Sequence, residues 1–229
     1  MNTQLVPFQQ SDLWGYRDEK NEIVISPEFN YAHEFSESLA AVKIVENWGY
    51  IDNLGKIVIQ PRYDSAGKFY SGLARVKVGN KYGYINNVGR MLIKPRFDWS
   101  GNFCEGLIPV KIGEKIGYVD KNDNVIITPQ FDKAISFSEG IAAVKIDNKW
   151  GYIDQSGRLL GKLEFDEATQ LCEGLGRVKV GNQWGYVNQK AQIVIQCQFD
   201  EIADFTEGIA QVMKSNEIYH IDTMGDVLW

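Results

Sequence analysis

Carboxylates, lysines and aromatic rings recur at fixed intervals along this chain, and chemistry would have to be built from them. One acidic or amide column follows a Tyr: Asp18, Asp52, Asn86, Asp120, Asp154, Asn188 and Asp222. A second follows an aromatic residue, as in Tyr63-Asp64, Phe97-Asp98, Phe131-Asp132, Phe165-Asp166 and Phe199-Asp200. General acid–base catalysis needs two unlike groups whose pKa values are pushed apart. A similar Asp repeated in most units is the opposite, and it reads as a turn device whose carboxylate accepts backbone N–H groups. No Asp-x-Asp-x-Asp-Gly calcium loop is present. The two histidines, His33 and His220, are far apart in register, and no nucleophile pairs with either. Cys104, Cys172 and Cys197 give no CxxC spacing and no even disulfide framework. The expectation is a protein that is not an enzyme, with no catalytic residue, no metal site and no cofactor.

Two further columns carry charge and aromatic surface. Lys43, Lys77, Lys111, Lys145 and Lys179 each sit five residues before an aromatic or apolar position. Across a two-residue turn, Lys77 faces Tyr82 and Lys145 faces Trp150, a geometry suited to cation–π or stem contacts. A basic stripe for an acidic partner is the sharper alternative. Trp14, Trp48, Trp150 and Trp184 form a column that Tyr82 and Ile116 share. Since every unit places a large apolar residue there, the rings are expected to pack between successive sheets. The glycine behind each, Gly49, Gly83, Gly117, Gly151 and Gly185, has no Cβ, so a neighbouring backbone or ring can come close.

These columns belong to one internal repeat, the feature that decides the fold. The aromatic-Gly-Tyr signal starts at 14, 48, 82, 116, 150 and 184, with a degenerate Ile218-Tyr219-His220 at 218; every step is 34 residues. Each unit reads as three strands: the Gly-Tyr segment, an apolar triplet such as Ile57-Val58-Ile59 ending at a Pro, and an alternating strand such as 73–78. A connector of the form Phe-Asp-x-Ala-x-x-Phe-Ser-Glu-Gly separates the second from the third. No stripe of period 3.6 argues for helix. The triplet is apolar on both pleat faces, which predicts burial on both. Residues 5–13 resemble a third strand, and 218–229 the first two strands of a following unit. The reading is one repeat domain over 1–229 in which 1–13 and 218–229 form a split unit. That favours a closed, seven-bladed β-propeller-like ring over an open β-solenoid of stacked hairpins.

The unit can be written KWGYIDxxGxxxIxPxFDxAxxFSEGxAxVK, most complete over 115–145. This resembles the bacterial WG, or KWG, repeat family over nearly the whole chain. The leading Lys stands at Lys81, Lys115 and Lys149, but Asn47 and Gln183 replace it elsewhere; Ile116 replaces one Trp, and Leu163 one Pro. The resemblance implies repeat architecture and a scaffolding or binding role. It carries no common catalytic residues to transfer.

Composition narrows the partner. A net charge of −6 argues against a nucleic-acid groove or an anionic membrane surface. No apolar run reaches the ~20 residues of a membrane span. The start, MNTQLVPFQQ, lacks the basic end and apolar stretch of a signal peptide, so the expected location is cytoplasmic. A uniform frame with variable loops suits recognition. The expected function is therefore a non-enzymatic scaffold that presents its connectors to a protein or peptide. A carbohydrate or cell-wall binder using exposed aromatics is the alternative, with a glycan as partner. Within the connectors, Trp99, Lys68, Asn102 and Gln170 are the candidate partner-binding residues. Trp99 stands out because it belongs to no apolar column and replaces small or charged residues such as Ser65 and Lys133.

Overall fold

The computed structural model describes residues 4–229. Every regular element is a strand, and among the described residues there is no helix. The strands form seven antiparallel sheets of three or four strands. The second sheet shows the full pattern: a connector strand Tyr31–Ala32, a Val-Lys strand Leu39–Ile44, a Gly-Tyr strand Asn47–Asp52 and a Pro strand Ile57–Tyr63, hydrogen-bonded in that order. The chain divides into two compact units. One holds the first three sheets, over 6–29, 31–63 and 65–97; the other holds the last four, over 108–131, 133–165, 167–199 and 201–227.

Strand pairing shifts the boundary of the structural unit away from that of the sequence motif. The Val-Lys strand forms a hairpin with the next Gly-Tyr strand, so a sheet begins in one 34-residue motif and ends in the next. Val6–Gln10 therefore pairs with Leu13–Arg17, and Phe8 is the Cα partner of Gly15. Residues 217–222 complete the sheet begun at Glu201–Ile202, with Val227 bridged to Ile221. Each terminal segment is thus hydrogen-bonded within a sheet of its own. Residues 1–3 of the expected split unit lie outside the described residues.

The core is made by a column that composition alone does not single out. Tyr16, Tyr50, Tyr84, Tyr118, Tyr152 and Tyr186 are all fully buried. Each hydroxyl donates to a backbone carbonyl 17 residues on, in the connector that opens the next sheet: His33, Gly67, Gly101, Ile135, Thr169 and Ala203. The acceptors sit where the connector leaves its ladder. The register breaks between Ala66 and Phe69 and between Ala168 and Leu171, freeing the carbonyls of Gly67 and Thr169 for the Tyr. A buried carbonyl without a partner costs ~1–3 kcal/mol, so the phenol both fills volume and satisfies the backbone. Burial pushes the phenols of Tyr16, Tyr50, Tyr118, Tyr152 and Tyr186 above the ordinary tyrosine range, and they stay protonated donors.

Two expectations change on contact with the fold. The Trp rings at 14, 48, 150 and 184 are half-buried at the margin of the core, while the Tyr two residues on is its centre. Only one residue of the apolar triplet is buried: Ile59 is 3% exposed, whereas Ile57 and Val58 are 36% and 42% exposed. These residues lie on an edge strand, which has no neighbour on one side. Trp229, in register with the buried Ile195, is 65% exposed and stacks on His220 at 5.0 Å.

The glycine column is a packing constraint, and the neighbour comes from within the same sheet. A Cβ on Gly49 would lie 2.5 Å from the Ile59 carbonyl oxygen and 2.8 Å from the Pro61 nitrogen. Gly83, Gly117 and Gly185 meet the same clash with the Pro strand, which bulges across the glycine. Gly151 is the loosest of the five: its nearest neighbours are the Lys162 carbonyl at 2.9 Å and the Leu163 side chain at 3.0 Å. That repeat has Leu163 in place of the Pro. Tyr219 stands in the glycine column of the seventh sheet, where the fourth strand, the counterpart of the Pro strand, is reduced to the Ile221–Val227 bridge. Gly49→Ala is expected to lower stability by about 1–3 kcal/mol through overpacking, and Gly151→Ala by less, since a Leu side chain can move where a backbone cannot. Denaturant midpoints of the two variants, compared at equal m, check the order.

Candidate functional site

The connectors are held to the frame by groups that repeat, so the residues between are free to differ. The first Asp column does what its position suggested. Asp52 Oδ1 accepts the N–H groups of Leu54 and Lys56 at 2.9 Å each, and Asp18, Asp154, Asn188 and Asp222 close the same turn. The second column caps the hairpin 15 residues on: Asp64 accepts the Gly79 N–H at 2.6 Å, and Asp166 the Gly181 N–H at 2.7 Å. It also receives the leading Lys of the motif, through Lys81–Asp98, Lys115–Asp132 and Lys149–Asp166. A third device spans repeats. Glu139, in the left-handed region with φ 52°, opens a tight turn completed by Gly140 at φ 86°. Its carboxylate accepts the Gly174 N–H of the following repeat at 3.1 Å. Glu37, Glu105 and Glu173 reach Gly72, Gly140 and Gly208 in the same way.

On this frame the connector positions form two columns at the 34-residue step. Tyr31, Ser65, Trp99, Lys133, Glu167 and Glu201 make the first; Glu34, Lys68, Asn102, Ser136, Gln170 and Asp204 the second. Trp99 is 39% exposed. Its connector is anchored just behind it: Ser100 is fully buried and its carbonyl accepts the Arg75 guanidinium. Lys68 is half-buried and paired with Glu34 at 2.5 Å, which joins neighbouring members of one column. Asn102 and Gln170 are exposed. Lys68, Trp99 and Asn102 lie in the first compact unit and Gln170 in the second.

The Lys column splits by partner. Lys77 stands 5.6 Å from the Tyr82 ring centroid and Lys179 5.2 Å from that of Trp184, each opposite its ring in the hairpin. Lys43 and Lys111 turn instead to Glu46 and Glu114 in their own turns.

One cluster was missed by sequence reasoning. In the first compact unit, Trp14 packs on Tyr31 at 5.1 Å, Tyr31 on Trp48 at 5.7 Å, and His33 stacks on Trp48 at 5.0 Å and 25°. Tyr31 is 43% exposed, and Trp14, His33 and Trp48 are half-buried. Burial, with the Lys68 charge nearby, holds the His33 imidazole below its ordinary pKa. The signal was present: Tyr31 shares the column of Trp99, the other aromatic there. No group of three or more metal-ligating side chains is gathered among the described residues.

The fold defines a class, an all-β tandem-repeat protein with sheets of the propeller-like kind. The WG containing repeat family matches residues 14–46, 48–82, 82–115, 116–150, 150–184 and 184–217, and the chain belongs to that family. No curated protein matches it in sequence. Among solved structures it is similar to a eukaryotic initiation factor, with a TM-score of 0.70 at 10% identity, covering 100% of this chain and 73% of that one. It is also similar to Hsv2 of Kluyvelomyces marxianus, with a TM-score of 0.54 at 11% identity over 96% of this chain and 88% of the other. Hsv2 of Kluyveromyces lactis gives 0.54 at 9% identity, over 96% and 90%. At such identities the likeness speaks for the fold.

Two outcomes follow. Trp99→Ala should change stability by less than about 1 kcal/mol, since an exposed connector side chain contributes little packing; thermal and denaturant midpoints check this. The acid limit of stability should be set by the second Asp column. The Lys149 hydrogen bond and the Gly181 N–H hold the Asp166 carboxyl below its ordinary value, and the Lys115 bond and the Asp147 N–H do the same for Asp132. A depressed folded pKa gives stability that is present above the unfolded value, about 3.9, and is lost as pH falls through the folded value. The stability difference between wild type and Asp166→Asn should therefore shrink below about pH 4 and stay level above it.

Proposed function

We propose that this chain is a non-enzymatic binding scaffold that presents its connector columns to a protein or peptide. The observation that carries this is the contrast between frame and connectors. The same Tyr, Asp and Glu-Gly bonds recur from repeat to repeat, while the position of Trp99 holds Tyr, Ser, Trp, Lys, Glu and Glu in turn. A frame fixed in this way lets side chains change at the connector at little cost to folding, and loops on a rigid support are where recognition is placed. The absence of an enzymatic role belongs to the same proposal. It is supported by the use of the repeated carboxylates as backbone acceptors, which leaves no unlike pair for acid–base work. No helix long and apolar enough to cross a membrane is present among the described residues.

A glycan is the second reading, supported by the exposed ring of Trp99, since sugar faces stack on such rings. Affinity capture with the full chain and with Trp99→Ala, alongside a glycan array, separates the two. The proposal expects a protein partner that is lost or weakened with Trp99→Ala while thermal stability is unchanged. Capture that ignores substitutions at Trp99, Lys68, Asn102 and Gln170 would contradict it, and binding confined to the array would favour the glycan.

A further inference from the structure

The aromatic cluster of the first two sheets differs from every equivalent position in a way the repeat itself exposes. In two repeats the column aromatic carries an internal cation over its face: Lys77 with Arg75 on Tyr82, and Lys179 on Trp184. The hairpin partner of Trp14 is Gln9, not Lys, and Gln9 is exposed. The partner of Trp48 is Lys43, whose ammonium turns to Glu46 at 3.5 Å. Among the described residues no cation lies over Trp14, Tyr31 or Trp48. Trp150 also lacks one, but Lys133 and Ile135 stand there in place of Tyr31 and His33, so it has no second ring beside it. The result is three adjoining, partly exposed rings without an internal cation, whereas Tyr82 and Trp184 each carry one.

The charge around this surface has the matching sign. Residues 6–63, which build the two sheets, hold nine acidic and five basic side chains, so four of the chain's six excess negative charges fall there. Lys68 and Lys43, the lysines nearest in the connector and hairpin, are each engaged by a carboxylate. His33 is held toward its neutral form, so the imidazole adds no positive charge at neutral pH. Electron-rich faces in a region of negative charge select a cation.

We infer that the Trp14–Tyr31–Trp48 surface binds the arginine or lysine side chain of a peptide partner, the guanidinium or ammonium lying on the rings as Lys179 lies on Trp184. The inference rests on the proposed peptide-binding role and names the chemistry of the partner. Arginine suits the site best, because its planar, weakly hydrated head can stack on a ring as well as donate to a neighbouring carboxylate.

Selection of randomised peptides displayed on phage against the full chain tests it, followed by titration with synthetic arginine–glycine and glutamine–glycine peptides read through the indole N–H signals. The expected result is enrichment of arginine- or lysine-bearing peptides. The arginine–glycine peptide should move the Trp14 and Trp48 signals, leave that of Trp184 in place, and bind less well as salt is raised. Gln9→Lys supplies the internal cation found over Tyr82 and Trp184 while removing no ring, and should weaken binding by at least about fivefold; Tyr31→Ser should do the same by removing the central ring. Enriched peptides without a cation overturn the inference and leave peptide recognition standing. So do cationic peptides whose affinity ignores both substitutions. A selection that enriches no peptide overturns the inference and the peptide-binding reading together.

Discussion

The structure depends on one hydrogen bond made six times, from a buried Tyr hydroxyl to the carbonyl of the connector that begins the next sheet. A small sheet of three or four strands has too little area to bury its own aromatic residues. It must lean on a neighbour, and the neighbour's connector must expose a carbonyl at the point where its ladder breaks. The phenol meets both needs: its ring is core, and its hydroxyl fixes the distance and angle at which the next connector crosses. Phe would keep most of the packing and leave the carbonyl unpaired. Ile or Leu would also leave the space of the ring unfilled.

Once that contact is set, the remaining columns have little freedom. The Gly before the Tyr is needed because the Pro strand must cross close to it to keep the Tyr covered, with carbonyl oxygens 2.5–2.6 Å from the site of a Cβ at Gly49, Gly83, Gly117 and Gly185. The two Asp columns close the turns on either side of that strand. The Glu-Gly turn ties each repeat to the next through a carboxylate–N–H bond. Most of these are surface interactions, and they act by fixing geometry more than by adding stability. The connector side chains lie outside this set of constraints, and for that reason they can differ from repeat to repeat.

Much of this was legible in the sequence because strict periodicity turns a single chain into several copies of the same experiment. The 34-residue step, the strand content and the turn role of the first Asp column could all be read from column composition. The full extent of each sheet could not. The hairpin of the Val-Lys strand with the following Gly-Tyr strand was readable from its two-residue turn, but the connector strand that opens each four-stranded sheet, such as Tyr31–Ala32, was not. The relative burial of Trp and Tyr was also hidden, since it turns on whether a hydroxyl finds a carbonyl 17 residues away. The aromatic cluster was obscured for a related reason: Tyr31 and His33 are unremarkable in their own repeat and acquire meaning only beside Trp14 and Trp48, which the fold brings against them. Trp99 stands out in the sequence because it breaks its column, and its side chain is exposed in the fold.

The most direct measurement of the central claim is native-state amide exchange together with global stability in Tyr152→Phe. The account predicts a loss of about 1–2 kcal/mol, the cost of stranding the Thr169 carbonyl, with exchange accelerated first in the connector strand Glu167–Cys172 and its partner Leu175–Val180. A loss below about 0.5 kcal/mol, or faster exchange spread evenly over the chain, would show that ring packing alone joins the sheets and that the hydroxyl is incidental.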